Sequence, residues 1–392
     1  MIIFKVSAPG KLILYGEHAV VYGKTALAAS LDLRTTLVFE ELGAEESNIY
    51  LSLPKITLAE TVSIKRIEDH FFQNTVSKNE GNSDDFYQHV RNFVDQLRYK
   101  DSSRKLAMEA FFYLFVTILK TTKLRIKPFH IYINTELSVS SGLGSSASFA
   151  VCLTTCFLHY VNQRRNIATV LDKEQLDVIS KHALNCEKIM HGNPSGVDNA
   201  ICTYGSIVEF RKNECLQPIT DAKSMRVLLV DTGVPRSTKC LVEKLAVLKG
   251  TYPKVFDPIL EAMDNVSLEA LNIIKRMKDL LDTDTERLNE FYEKLLILID
   301  VNQHLLSSCQ VSHPTLDGIC AKVRKHSLRA KLTGAGGGGF AYVLLLPDTS
   351  DETIQEITNT FVNQGYGVTL TNLGGPGVKI ENVKTGTTHE TE

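Results

Sequence analysis

The chain has 392 residues, 43% of them hydrophobic, and a formal net charge of -2. That is length for two or three average domains and apolar content for sizeable cores, while the near-neutral balance gives no support to a nucleic-acid surface. No stretch reaches the ~18 uninterrupted apolar residues of a membrane span, and the first nine residues lack the core of a secretory signal, so the expectation is a soluble, cytoplasmic protein with no membrane partner.

Residues 2–6 predict the first strand. Pro9-Gly10 interrupts the apolar run that continues to Tyr15, and Gly16 ends it, which puts Lys11, Glu17 and His18 at the rims of short strands. In isolation these read as a solvated strand-end lysine and an ordinary polar turn. Alternation through residues 35–39 and 49–53 predicts further antiparallel strands. The polar stretch 77–85 predicts an exposed loop, and residues 86–97 and 106–119 predict helices.

A β-like run at residues 130–133 then leads to Gly142-Leu143-Gly144-Ser145-Ser146-Ala147, and an apolar helical run follows at 149–160. Two glycines let the backbone approach a ligand closely, and a helix start offers unpaired N–H groups with a partial positive charge, which is an anion-binding arrangement. Ser145 and Ser146 add hydroxyls that could help hold a nucleotide's metal ion. The same letters satisfy the dinucleotide pattern G-x-G-x-x-A, but no strand ending in an acidic residue follows at the required distance. A plain structural turn is the third alternative. The eight cysteines contain no C-x-x-C pair, and Cys152 and Cys156 lie inside the apolar helix, so buried, ordinary thiols are expected.

Asp172 with Gln175 three residues on predicts the cap of another helix, whose buried face is Leu176, Ile179, Ala183, Cys186 and Met190. Glu187 sits beside that face near the helix C-terminus, where a carboxylate opposes the dipole unless a cation compensates it. It is either an exposed glutamate or a metal ligand. The helix ends in His191-Gly192-Asn193-Pro194-Ser195-Gly196-Val197-Asp198-Asn199, a crowded turn that presents Asp198 or merely reverses the chain. Residues 226–231 open a new βα region, so a domain boundary is expected near 221–226. A long helix is expected over 285–308. Gly334 to Gly339 also matches G-x-G-x-x-G, but an apolar strand follows it, which predicts a backbone passing very close to another loop or a ligand.

Pro9-Gly10-Lys11, Gly142-Leu143-Gly144-Ser145-Ser146 and Lys331-Leu332-Thr333-Gly334-Ala335-Gly336-Gly337-Gly338-Gly339, in this order, resemble the three motifs of the galactokinase, homoserine kinase, mevalonate kinase and phosphomevalonate kinase family. Within it, Gly16-Glu17-His18-Ala19-Val20-Val21, the segment 191–199 and Val234-Pro235-Arg236 are similar to the branch that phosphorylates mevalonate in animals. The resemblance implies a two-domain α/β (α+β) fold. An N-terminal domain (residues 1–224) would carry a left-handed βαβ crossover, a C-terminal α/β domain would span 225–392, and ATP and mevalonate would meet in the cleft between them.

It further implies Asp198 as the base, Lys11 as the stabilising charge, and Ser146 and Glu187 as holders of Mg²⁺. Ser140, Ser141, Gly142, Leu143, Gly144, Ser145 and Ser146 would cradle ATP, with Lys11, Lys55 and Thr135 in reach of it. Glu17, His18, Asp198, Arg236, Thr238 and Ala335 would approach mevalonate, Arg236 facing its carboxylate. The resemblance also implies a homodimer. The chain departs from the family pattern where Ser138, Val139, Ser140 and Ser141 precede the glycines without a proline, and where Phe149 replaces a tyrosine.

Overall fold

The computed structural model describes residues 2–72, 83–122, 124–138, 142–192, 194–212, 214, 216–219, 221–281 and 283–382. Alternating apolar residues at the N-terminus make longer strands than the sequence punctuation implies. β1 (Ile3–Tyr15) runs straight through Pro9-Gly10, which shifts the register against β2 (Ala26–Glu41) without ending the strand. Proline removes one ladder donor, but the ladder resumes at Gly10 opposite Leu31. Lys11 therefore sits inside a long strand, opposite Ser30, and not at the rim of a short one.

β3 (Asn48–Leu53) and β4 (Leu58–Ser63) form a hairpin, followed by α1 (Ile64–Phe71), α2 (Ser83–Asp95) and α3 (Ser102–Thr122). Residues 83–85 thus begin a helix instead of closing the expected loop, whose residues 77–82 lie outside the described residues. β5 (Phe129–Thr135) pairs antiparallel with β2 but parallel with β3, so the expectation of antiparallel strands alone was incomplete. The connection between β3 and β5 has the length of a helical crossover, which permits parallel pairing.

Next come α4 (Ser145–Arg164), α5 (Lys173–His191), α6 (Val197–Tyr204), β6 (Ile207–Phe210), β7 (Gln217–Ile219) and β8 (Met225–Asp231). They are followed by α7 (Thr238–Thr251), α8 (Pro253–Met277), α9 (Thr285–Ser308), α10 (Pro314–Val323), β9 (Arg329–Leu332), β10 (Phe340–Leu344), α11 (Asp351–Val362), β11 (Gly367–Leu373) and β12 (Lys379–Asn382). The Asp172 cap is present: its carboxylate accepts from the Gln175 N–H, a contact worth about 1 kcal/mol. Ile179, Ala183 and Cys186 of the expected face are fully buried.

The strands make one continuous sheet in the order β4-β3-β5-β2-β11-β8-β10-β9, with β1 beside β2 and β12 beside β1. One residue pair, Leu31 opposite Leu373, joins β2 to β11. A first core packs Phe4, Val6, Leu37 and Phe39 against α3 and α4. A second packs the far ends of β1 and β2, through Leu12, Leu14, Leu27 and Leu31, against β8, β10, α8 and α9. Among the described residues, six cysteines are buried and unpaired. Cys240 departs from expectation by lying exposed on α7, and Cys215 is outside the described residues. No helix among the described residues is long and apolar enough to cross a membrane.

Candidate active site

The site begins where β1 and the glycine turn before α4 touch. The Lys11 N–H donates to the Leu143 carbonyl at 2.8 Å. Neither glycine beside this contact tolerates a side chain: a Cβ at Gly144 would lie 2.8 Å from Lys11 Cγ, and one at Gly10 would lie 2.9 Å from the Leu143 oxygen. Gly144 also caps α4 in the left-handed conformation, with no side-chain hydrogen bond at the cap. A helix start whose cap has no side chain to occupy its first-turn N–H groups suits an anion site. α4 starts at Ser145, four residues before its apolar run, so Ser145 and Ser146 form its first turn.

α6 starts at Val197, with Gly196 in the left-handed conformation as its cap, and so places Asp198 in a first helical turn. Asn199 Nδ2 ties α6 to α5 through the Ser180 carbonyl at 2.8 Å and hydroxyl at 2.9 Å. This fixes Asp198 relative to Glu187 on α5. The Lys11 ammonium reaches Asp198 Oδ1 at 3.0 Å, with the lysine buried and the carboxylate partly exposed.

Glu187 is buried, in contrast to the exposed alternative, and its Oε2 has no partner among the described residues. Burial, and then the charge of Asp198, push its carboxyl up to about 7, against the opposing pull of Lys11 and the hydrogen bond from Ser146. Lys11, Ser146, Glu187 and Asp198, scattered over the sequence, thus form one cluster at the start of α4. A buried carboxylate with an unsatisfied oxygen beside a hydroxyl suits a hard cation that takes few protein ligands and completes its shell with water and phosphate.

The glycine-rich segment 334–339 meets the glycine turn before α4 through Arg236. Positive φ runs through Gly334, Gly336, Gly337, Gly338 and Gly339, and what the loop approaches is Val311, Val234 and Arg236. The Arg236 guanidinium donates to the Thr333 carbonyl at 3.1 Å and lies against Gly142 and Gly339, where a Cβ would collide with it. It thereby spans the two glycine loops, and burial lowers its pKa. His18 Nε2 donates to the Ala335 carbonyl at 2.8 Å, which connects those two expected substrate contacts. Burial also lowers the His18 pKa, opposed by that carbonyl and by Glu17.

Glu17 is 1% exposed, paired with Lys331 and accepting from Asn302 Nδ2 at 3.3 Å. Thr238 is exposed at the start of α7. Thr135 Oγ1 is 2.9 Å from Thr35 Oγ1 and accepts from the Leu137 N–H, so its hydroxyl is already engaged within the protein. Lys55 is exposed on a short 3-10 turn. Ser140 and Ser141 lie outside the described residues.

The GHMP kinases N terminal domain matches residues 108–206 and the GHMP kinases C terminal domain matches residues 279–363. Mevalonate kinase from Mus musculus is 34% identical over 383 residues, covering 95% of this chain and 94% of that protein. The chain belongs to the GHMP kinases. Crystal structures of mevalonate kinases agree in fold: that from Methanococcus jannaschii has a TM-score of 0.69 at 24% identity, over 95% of this chain and 98% of that one. The L. major enzyme in complex with R-mevalonate has a TM-score of 0.67 at 21% identity, over 95% and 96%.

Membership in the GHMP kinases closes the dinucleotide alternative for Gly142 to Ala147. Two residues of the site carry no role in the sequence reading, Lys331 and Asn302. For Lys331 a signal exists: a lysine between Ala330 and Leu332, in a strand followed by five glycines within six positions, has no obvious solvent face. For Asn302, inside a long helix, none does.

Proposed function

We propose that this GHMP kinase transfers the γ-phosphoryl group of ATP to the primary hydroxyl of (R)-mevalonate, giving 5-phosphomevalonate and ADP. The observation that carries the chemistry is the 3.0 Å pair of Lys11 and Asp198 beside the glycine-capped start of α4. The choice of mevalonate is supported by the extent of the likeness to the mouse mevalonate kinase. First-turn N–H groups of α4 hold the phosphates. The acceptor oxygen attacks the γ-phosphorus, its proton passes to Asp198, and the bond from phosphorus to the bridging oxygen breaks with its electron pair leaving on ADP. A carboxylate is a weak base toward an alcohol, so placement and charge stabilisation must supply most of the rate. Lys11 provides that charge at the oxygens in transfer.

Ser146 and Glu187 would hold Mg²⁺, which supplies charge neutralisation to the nucleotide's phosphates when bound. The partnerless Oε2 of Glu187 supports this reading. Arg236 faces the substrate carboxylate, and His18, Ala335 and Thr238 line the acceptor side. Lys55 and Thr135 approach the nucleotide. Residues 1–224 and 225–392 act as the two domains, the protein works in the cytoplasm, and it assembles as a homodimer. Analytical ultracentrifugation tests the last statement.

The deciding experiment is a panel of acceptors with Mg-ATP: mevalonate, phosphomevalonate and galactose. ADP release with mevalonate is expected. Release with another acceptor and none with mevalonate would refute the substrate assignment.

A further inference from the structure

Lys331, on β9, has no solvent exposure. Its ammonium pairs with Glu17 Oε1, donates to the Leu332 carbonyl at 2.7 Å and lies 5.4 Å from the centroid of the Tyr342 ring. Glu17 Oε2 accepts from Asn302, itself fully buried on α9. Both oxygens of Glu17 are therefore engaged inside the protein. Taking two charges out of water carries a large desolvation cost, and a well-packed apolar pair often stabilises a fold as well or better. Stability alone does not account for the pair.

What the pair fixes is the next residue. His18 has φ of 61° and ψ of -44°, a sparsely populated backbone for a residue with a side chain. Such a backbone is strained and persists only where its surroundings enforce it. On one side of it, Glu17 is anchored to β9 and α9. On the other, the His18 ring donates to Ala335, and the Glu17 carbonyl receives the Ala19 N–H at 2.6 Å. Lys331 and Ala335 belong to the same segment, the strand and glycine loop that also carry Thr333, the acceptor for Arg236.

We infer that Lys331 is a positioning residue for the acceptor side of the site. It pins Glu17, with Asn302 as brace, so that His18 is held against Ala335, and Glu17 acts through this pair without touching substrate. The kinetic part of this inference rests on the proposed function; the structural part does not.

The first test therefore uses no substrate. In full-length ¹⁵N-labelled protein, the His18 ring signals, assigned by their loss in His18→Ala, should move in both Lys331→Met and Glu17→Gln. Circular dichroism checks that each variant is folded. Unmoved ring signals in folded variants overturn the inference. If Lys331→Met does not fold, the double variant Lys331→Met/Glu17→Leu, which removes both buried charges together, is read by the same criterion.

The second test is a cycle in mevalonate-dependent ADP release. Lys331→Met should raise KM for mevalonate about tenfold, leave KM for ATP within about twofold, and add less than about twofold in a His18→Ala background. A full additional loss in that background overturns the inference, as do independent, multiplying effects of Glu17→Gln and Lys331→Met. If the unmodified protein releases no ADP with mevalonate, the substrate assignment falls, and the ring signals still decide the positioning role.

Discussion

Glu187→Gln should make the protein more stable in the absence of divalent cations and a poorer kinase in their presence. In the folded protein, burial and the Asp198 charge raise the Glu187 carboxyl from 4.5 to about 7. On unfolding it returns to its ordinary value, so the folded state binds this proton more tightly. The sign follows from that difference: between about pH 4.5 and 7 this residue makes the protein lose stability as pH rises, and the cost is fully present above about 7.

At ~1.4 kcal/mol per pH unit the full cost is about 3 kcal/mol. With 392 residues unfolding together at ~2.1 cal/mol/K each, that corresponds to roughly 4 °C. Glutamine keeps the shape and carries no charge, so it escapes the cost. Thermal unfolding of both proteins in chelator, from pH 5 to pH 8, isolates the effect by difference. The Tm advantage of the variant should grow by roughly 3 °C across that range. A constant difference, or one that shrinks as pH rises, would refute the raised carboxyl and with it the electrostatic case for a cation at Glu187.

The same variant should need a higher Mg²⁺ concentration for half-maximal activity, and an unchanged metal titration would contradict the ligand role. Asp198→Asn should lower kcat by ~10²–10⁴-fold while ATP still binds by calorimetry, and near-normal turnover would remove it as the base. Lys11→Met should reduce kcat by about 100-fold or more, chiefly through lost charge at the reacting oxygens, and a change confined to KM for ATP would contradict that role. Gly142 has φ of 80° with Arg236 against it, so Gly142→Ala should cost ~1–2 kcal/mol of stability and raise KM for ATP. A variant with unaltered unfolding and kinetics would show that the two loops are not so closely seated.

The capping of α5 by Asp172 and the spacing of its buried face were legible because they depend on neighbours in the chain. That a helix follows the glycines at 142 and 144 was legible for the same reason. Lys11 was recognisable as a motif member, but its place inside a long strand was hidden, because Pro9-Gly10 normally punctuates and here only shifts register. The burial of Glu187 could not be read from helix periodicity, since it depends on α4 and α6 packing against α5. The partners of Glu17 lie about three hundred positions away, at Lys331 and Asn302, and no local pattern reaches that far. Cys240 was misjudged because composition favours buried thiols and says nothing of a particular helix face.

The second core, built from the ends of β1 and β2 together with β8, β10, α8 and α9, has a consequence for synthesis. Translation delivers Leu12, Leu14, Leu27 and Leu31 long before the elements that cover them. The nascent chain can assemble most of the core under α3 and α4 early, but it must carry an uncovered apolar sheet end until residues 225–373 have left the ribosome. That interval is when aggregation competes with folding. Conditions that slow the arrival of the second half should therefore lower the soluble yield more than the final stability of the protein would suggest.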